Sequence, residues 1–303
     1  MAKNTEASIR QKLLKLSRDR KETFDFVLTQ YVLQRILYRI SISEYAKLFC
    51  LKGALLFWVW NHNYHRPTRD MDLLSFGEND LTSMKQTFNN ILKIKLDDGL
   101  NFDLTTLQAI KIKEEAKYQG VRLNGYAFLD GARNNYQIDI GFGDAIEKNL
   151  KAVEIPTFFE DFPKPQMRVY SVNAVIAEKF HAMVFLGLQN SRLKDFYDMY
   201  TIASSFPLMS NDLMKAINLT FDRRKMVINN KQLFIFTDQF KLDDSKEKQW
   251  QLFLKKNRLD CELNFSEVMN KIDFFLKPIY EGINQNNSEN RQWDFKIWEW
   301  VKE

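Results

Sequence analysis

Cysteine is almost missing from the 303 residues: Cys50 and Cys261 are the only two. Two thiols cannot build a disulfide scaffold, and they show no CxxC spacing for a metal. A reducing, cytoplasmic compartment is the expectation. Glycine, at 10 copies, and proline, at 6, are sparse, which excludes collagen-like repeats and leaves little for long irregular stretches. The three histidines, His62, His65 and His181, have no ligand spacing with cysteine. There is no GxGxxG loop, no Walker A loop, no GxSxG elbow and no HExxH helix, so dinucleotide, P-loop, hydrolase and zincin chemistries find no foothold. The most apolar run, Leu48 to Trp60, is interrupted by Lys52 and falls short of the roughly 20 residues that span a bilayer. Met1 to Glu6 lack the apolar core of a signal peptide.

Core material is plentiful. Hydrophobic residues make up 45% of the chain and charged residues 27%, with 25 Phe and 6 Trp, a globular composition rather than a disordered one. Lys and Arg outnumber Asp and Glu by 44 to 39. A surplus of +5 permits contact with a polyanion without demanding it. The length suggests two domains, or one large one with an extension.

Apolar residues recur at helical steps from Ser8 to about Leu37, and Ser43 with Glu44 reads as the start of a short second helix. Four segments alternate like strands: 72–76, 102–107, 121–128 and 136–142, with a helix expected over 81–96. Helices are then expected over 173–188 and 192–205, and beyond Pro207 over 212–221, 246–256, 266–280 and 292–302. The pattern turns nearly all-helical near 206–210, so the expected domains are 1–207 and 208–303. In the last helix Trp293, Phe295, Trp298 and Trp300 are expected mostly in the core, although Trp298 and Trp300 cannot share one helical face.

Three constellations carry possible chemistry. Asp70 and Asp72 stand two apart at the start of a strand, a spacing that puts both carboxylates on one face. Their repulsion needs a positive partner, either a divalent cation or Arg66 or Arg69. The bland alternative is a solvated loop. Gly53 allows backbone to approach a phosphate, and the helix opening near Ala54 offers N–H groups. Asp139, between Ile138 and Ile140, lies opposite those isoleucines and would join the other two carboxylates if the strands are neighbours. Otherwise it is an ordinary outward-facing residue. Lys179 sits on a helix with an apolar face and either meets a phosphate or reaches solvent. Asp195 and Asp198 are one helical turn apart, set for salt bridging with Arg192 and Lys194 or for chemistry.

The segments Phe49-Cys50-Leu51-Lys52-Gly53-Ala54, Arg66-Pro67-Thr68-Arg69-Asp70-Met71-Asp72-Leu73-Leu74, Ile138-Asp139-Ile140-Gly141-Phe142-Gly143-Asp144, Ile176-Ala177-Glu178-Lys179-Phe180 and Ser191-Arg192-Leu193-Lys194-Asp195-Phe196-Tyr197-Asp198 occur in that order. Together they resemble the AbiEii/AbiGii-type toxin family of nucleotidyltransferases, a branch of the polymerase-β-like superfamily. The resemblance implies an α+β fold: a nucleotidyltransferase-type mixed β-sheet flanked by helices, plus a C-terminal helical bundle. It implies a toxin of a toxin–antitoxin or phage-defence system that moves an NMP from an NTP to an acceptor, RNA at a tRNA 3′ end. Asp70 and Asp72 match the family's metal-binding pair for Mg²⁺ (or Mn²⁺), with Asp139 at the superfamily's third carboxylate. Lys179 matches a lysine at the nucleotide phosphates, and Asp195 an acidic residue needed for activity. Lys52, Gly53, Ala54 and Arg69 are implied at the nucleotide. The implied partners are an NTP, tRNA or another RNA, and a cognate antitoxin protein, with no membrane. Gly53-Ala54 stands where the family usually has Gly-Gly or Gly-Ser, which removes a hydroxyl but keeps the backbone N–H. Two other readings stay open: a small-molecule, antibiotic-type nucleotidyltransferase, and an inactive binding module.

Overall fold

The computed structural model describes residues 5–61, 66–114, 118–146, 150–228, 233–285 and 289–302; His62 and His65 lie outside them. Contacts divide the chain into two compact units, Met1–Asp144 with Asn149–Tyr170, and Ala145–Lys148 with Ser171–Glu303. The boundary expected at 207/208 falls inside the second of these.

The first unit runs α1 (Thr5–Asp19), α2 (Phe24–Ile42), β1 (Phe49–Lys52), α3 (Leu55–Asn61), β2 (Asp70–Ser75), α4 (Leu81–Leu92), β3 (Asn101–Glu114), β4 (Tyr118–Leu129), β5 (Ala132–Phe142), β6 (Ala152–Glu154) and β7 (Gln166–Val169). Its seven strands form one mixed sheet in the order β3-β4-β5-β2-β1-β7-β6. β3, β4 and β5 make an antiparallel meander. β2 pairs parallel with β5 and antiparallel with β1, and β1 pairs parallel with β7. All four residues of β1 are buried, because helices cover a strand that already has neighbours on both edges. Such a strand reads as a short apolar run without alternation, and for that reason β1 was not among the expected strands.

The long first helix is two. Ser17 to Thr23 contains no apolar residue, so the stripe that would bury it breaks there. Lys21 takes a left-handed φ of 55°, and Thr23 caps α2 by accepting from the Phe26 N–H. Ser43 ends α2, its N–H and hydroxyl both donating to the Ile40 carbonyl, and the short helix expected after it is a single 3-10 turn over Ala46–Leu48.

Most of α2 is buried, including two arginines. Asp98 is fully buried between them. Arg39 donates to its two oxygens at 2.6 and 3.1 Å, and Arg35 Nε donates to Oδ2 at 3.2 Å. The Leu100 N–H adds a further donor to Oδ1. Every oxygen of this carboxylate is thus satisfied inside the core.

The second unit holds α5 (Val172–Leu186), α6 (Leu193–Ala203), α7 (Ser210–Arg223), α8 (Asp238–Lys241), α9 (Asp244–Asn257) and α10 (Phe265–Asn284), then a hairpin, β8 (Arg291–Asp294) with β9 (Glu299–Lys302). The hairpin overturns the helix expected over 292–302. Asp294 accepts from the Lys296 N–H in the turn, and Trp298 takes a φ of 59°. Trp293 lies opposite Trp300 and is fully buried. Trp298 stands in the turn before β9 and Trp300 within the strand, so the two tryptophans that could not share a helical face belong to different elements.

Phe180 anchors the helical core, with its ring 5.6 Å from that of Phe221 and 6.1 Å from that of Phe236. His181 beside it is buried against Phe185 and Phe221. Among the described residues no helix is long and apolar enough to cross a membrane.

Two predictions follow from these interiors. Replacing Asp98 with Ala strands two guanidinium groups in the core, and urea denaturation should show a loss of about 3–5 kcal/mol. Burial, aided by the Arg224 charge, pushes His181 down to about 4 from 6.5. The folded state therefore binds fewer protons than the unfolded one. Its contribution is complete above pH 6.5 and is lost as pH falls towards 4. Stability measured across that window in wild type and His181→Gln should fall less steeply in the variant.

Candidate functional site

Sheet register puts four charged residues side by side. Lys52 on β1 is the partner of Asp72 on β2, Asp72 is the partner of Asp139 on β5, and Asp139 is the partner of Arg122 on β4. Neighbouring strands lie about 4.8 Å apart, so Asp72 and Asp139 form a like-charged pair with a cation beyond each. The strand carrying Asp139 is thus the neighbour of the strand carrying Asp70 and Asp72.

Asp139, however, is fully engaged. Arg122 grips it with a fork, Nε to Oδ1 at 2.7 Å and Nη2 to Oδ2 at 2.8 Å, and Gln137 Nε2 adds a bond to Oδ2 at 3.3 Å. The Arg122 guanidinium is held above its usual range by the Asp139 hydrogen bond and charge, with Asp70 and Asp72 adding to it. Among the described residues no group of three His, Cys, Asp or Glu is set to hold a metal ion. The expected convergence of three carboxylates is therefore one of position, with the third tied up by Arg122.

Asp70 and Asp72 alternate with the buried Met71 and Leu73 along β2, so both leave the sheet on the face opposite those apolar residues. The loop before them is built on α2. Gln30 donates to the Thr68 carbonyl, and the Thr68 hydroxyl donates to Asp70 Oδ1 at 2.7 Å. Arg69, expected at the nucleotide, pairs with Asp25 and lies over the Phe26 ring, more than half exposed. Gly53 has a φ of +75°, and a Cβ there would stand 2.0 Å from Asp72 Oδ2. That contact gives the glycine a physical reason: the backbone of β1's end passes directly under the carboxylate. Ala54 is buried, and α3 begins at Leu55.

Lys52, also expected at the nucleotide, is 7% exposed and puts Nζ 2.8 Å from Asp144 Oδ2, which also accepts from the Tyr170 hydroxyl at 2.9 Å.

In the second unit, Lys179 on α5 reaches two aspartates on α6, Asp195 Oδ1 at 2.8 Å and Asp198 Oδ2 at 2.7 Å. Arg192 Nε stands 2.9 Å from Asp195 Oδ2, yet it is off the hydrogen-bonding line, and that oxygen is buried without a hydrogen-bond donor. Asp195 lies in the first turn of α6, where the helix dipole favours a negative charge. Asp195 is thus buried against Lys179 and Arg192, with one oxygen lacking a hydrogen-bond donor.

A profile described as nucleotidyl transferase AbiEii toxin, type IV TA system, matches residues 35–271, more than three quarters of the chain. The chain belongs to the AbiEii nucleotidyl transferase toxin family. No curated protein matches it. Two crystal structures from Helicobacter pylori have a distant likeness. One, a candidate nucleotidyltransferase, is 11% identical with a TM-score of 0.48, covering 86% of this chain and 97% of its own. The other, JHP933, is 13% identical at the same score, covering 86% and 94%.

Arg122, Asp144 and Tyr170 were not among the expected site residues of this AbiEii member. Arg122 had a legible signal: it sits between Val121 and Leu123 on a strand, the same pattern that singled out Asp139.

Gly53→Ala should bring both backbone strain and a collision with Asp72. Thermal or denaturant unfolding should show a loss of about 1–3 kcal/mol.

Proposed function

We propose that this AbiEii-family protein is an NTP-dependent nucleotidyltransferase that transfers an NMP to the 3′ end of tRNA or another RNA, as a toxin neutralised by a cognate antitoxin in the cytoplasm. The observation that carries the reading is the Asp70–Asp72 pair on one face of β2, with Gly53 left bare beneath Asp72.

The donor set is two hard carboxylate oxygens groups beside a glycine with no side chain, which fits Mg²⁺ or Mn²⁺. Asp70 and Asp72 would hold it. Such an ion, when bound, lowers the pKa of an acceptor hydroxyl and neutralises triphosphate charge. The rest of the chemistry falls to side chains. Thr68 and Gln30 keep Asp70 in place. Asp195, paired with Lys179 and Arg192, assists deprotonation of the acceptor hydroxyl. Lys179, paired with Asp195 and Asp198, supplies positive charge as the phosphate chain gains negative charge. Lys52 acts through Asp144 rather than at the phosphates, since its ammonium is buried there. Attack on the α-phosphate forms the new phosphodiester bond, and pyrophosphate leaves.

Incubation with each α-³²P-labelled NTP, Mg²⁺ and total bacterial RNA tests this. Label should appear on a tRNA-sized band and be absent with Asp70→Ala/Asp72→Ala. Asp195→Asn should lower kcat by about 10²–10⁴-fold, the range for loss of a general base. Label that migrates with a small molecule, or no transfer from any NTP, would sink the RNA reading.

A further inference from the structure

Asp139 occupies the register position from which a third carboxylate would reach a cation shared with Asp72. Yet it meets three donors from two side chains, and its two oxygens are both taken. The side chain of Asp139 is 10% exposed and that of Arg122 35%, so the guanidinium is the more exposed partner of the clamp. An arginine fork matches a carboxylate in two parallel bonds and is stronger than a single contact. It also places a fixed positive charge against Asp139.

We infer that Arg122 is a positioning residue that withholds Asp139 from the cation site and so limits that site to Asp70 and Asp72. This rests on the proposed metal-binding role of that pair. The consequence is chemical. Divalent-cation affinity at oxygen sites rises with the number of charged ligands. A two-carboxylate site holds its ion loosely and leaves coordination positions for phosphate oxygens of the substrate. A three-carboxylate site would hold the ion tightly before any nucleotide arrived. Removing the clamp should therefore convert the first kind of site into the second.

Mn²⁺ titration, followed by the electron paramagnetic resonance of the free ion, reads this without any turnover. Wild type should bind Mn²⁺ weakly, and Asp70→Asn/Asp72→Asn should abolish the binding. Arg122→Gln should bind about tenfold more tightly, and Arg122→Gln/Asp139→Asn should return to within about threefold of wild type. That non-additivity is what a merely structural arginine would not produce. If Arg122→Gln binds no more tightly than wild type, the inference fails. It fails too if the double variant stays as tight as the single one, because Arg122 would then act by its charge alone. Should Arg122→Gln melt far below wild type, Arg122→Lys keeps the charge but breaks the fork; it must tighten binding by about threefold, and no change would overturn the inference. Wild type showing no binding that depends on Asp70 and Asp72 would overturn the metal site itself, a distinct result.

Discussion

The first unit turns on one constraint: the register that sets Lys52, Asp72, Asp139 and Arg122 in a row across four neighbouring strands. Two carboxylates facing each other across a parallel pair repel, and like charges directly opposite destabilise a sheet. The row closes because a cation stands at each end, and because each cation has a defined partner. Arg122 neutralises Asp139 outright. Lys52 is anchored by Asp144 and Tyr170, which fixes its ammonium within the interior instead of letting it swing to solvent. A slip of one residue between β2 and β5 would turn Asp72 to the other face and put Met71 or Leu73 in its place. The apolar side of β2 forbids that slip, so hydrophobic burial on one face fixes the electrostatics of the other.

Both units bury charge, but in two different ways. Around Asp98 every carboxylate oxygen has a donor and both arginines are spent on it or on nearby carbonyls. Nothing there is left over for a ligand, and the cluster is a structural clamp on α2. Around Asp195 the cations are as close, yet Oδ2 lacks a hydrogen bond. An unmade hydrogen bond in a buried place costs about 1–3 kcal/mol. The fold tolerates this cost at Asp195 Oδ2 and again at Asp273 Oδ1, while satisfying Asp98 completely.

Much of this was legible in the amino-acid order. The β2 and β5 strands declared themselves by alternation around Asp70, Asp72 and Asp139, and α5 and α6 by apolar steps around Lys179 and Asp195. The remainder was hidden for physical reasons. β1 is buried on both faces, so it shows no period. The β8–β9 hairpin carries tryptophans at spacings that mimic a helix until Trp298 and Trp300 are asked to share a face. Partners such as Arg122 for Asp139 or Asp144 for Lys52 depend on strand order, and local pattern cannot supply strand order. The family motifs named positions; the sheet decided which of those positions were already occupied by a neighbour.

The two carboxylates of β2 are held by separate means. Asp72 owes its place to strand register and to the bare backbone at Gly53. Asp70 sits at the strand's first residue, where pairing alone would leave it loose. Its position comes instead from α2, through Gln30 and Thr68. The same helix carries Arg35 and Arg39, locked onto Asp98 further along. A helix pinned by a fully satisfied buried ion cluster is a rigid arm, and rigid support is what holds functional oxygens to within fractions of an ångström. The buried cluster at Asp98 and the Gln30–Thr68 support of Asp70 are thus linked through one helix.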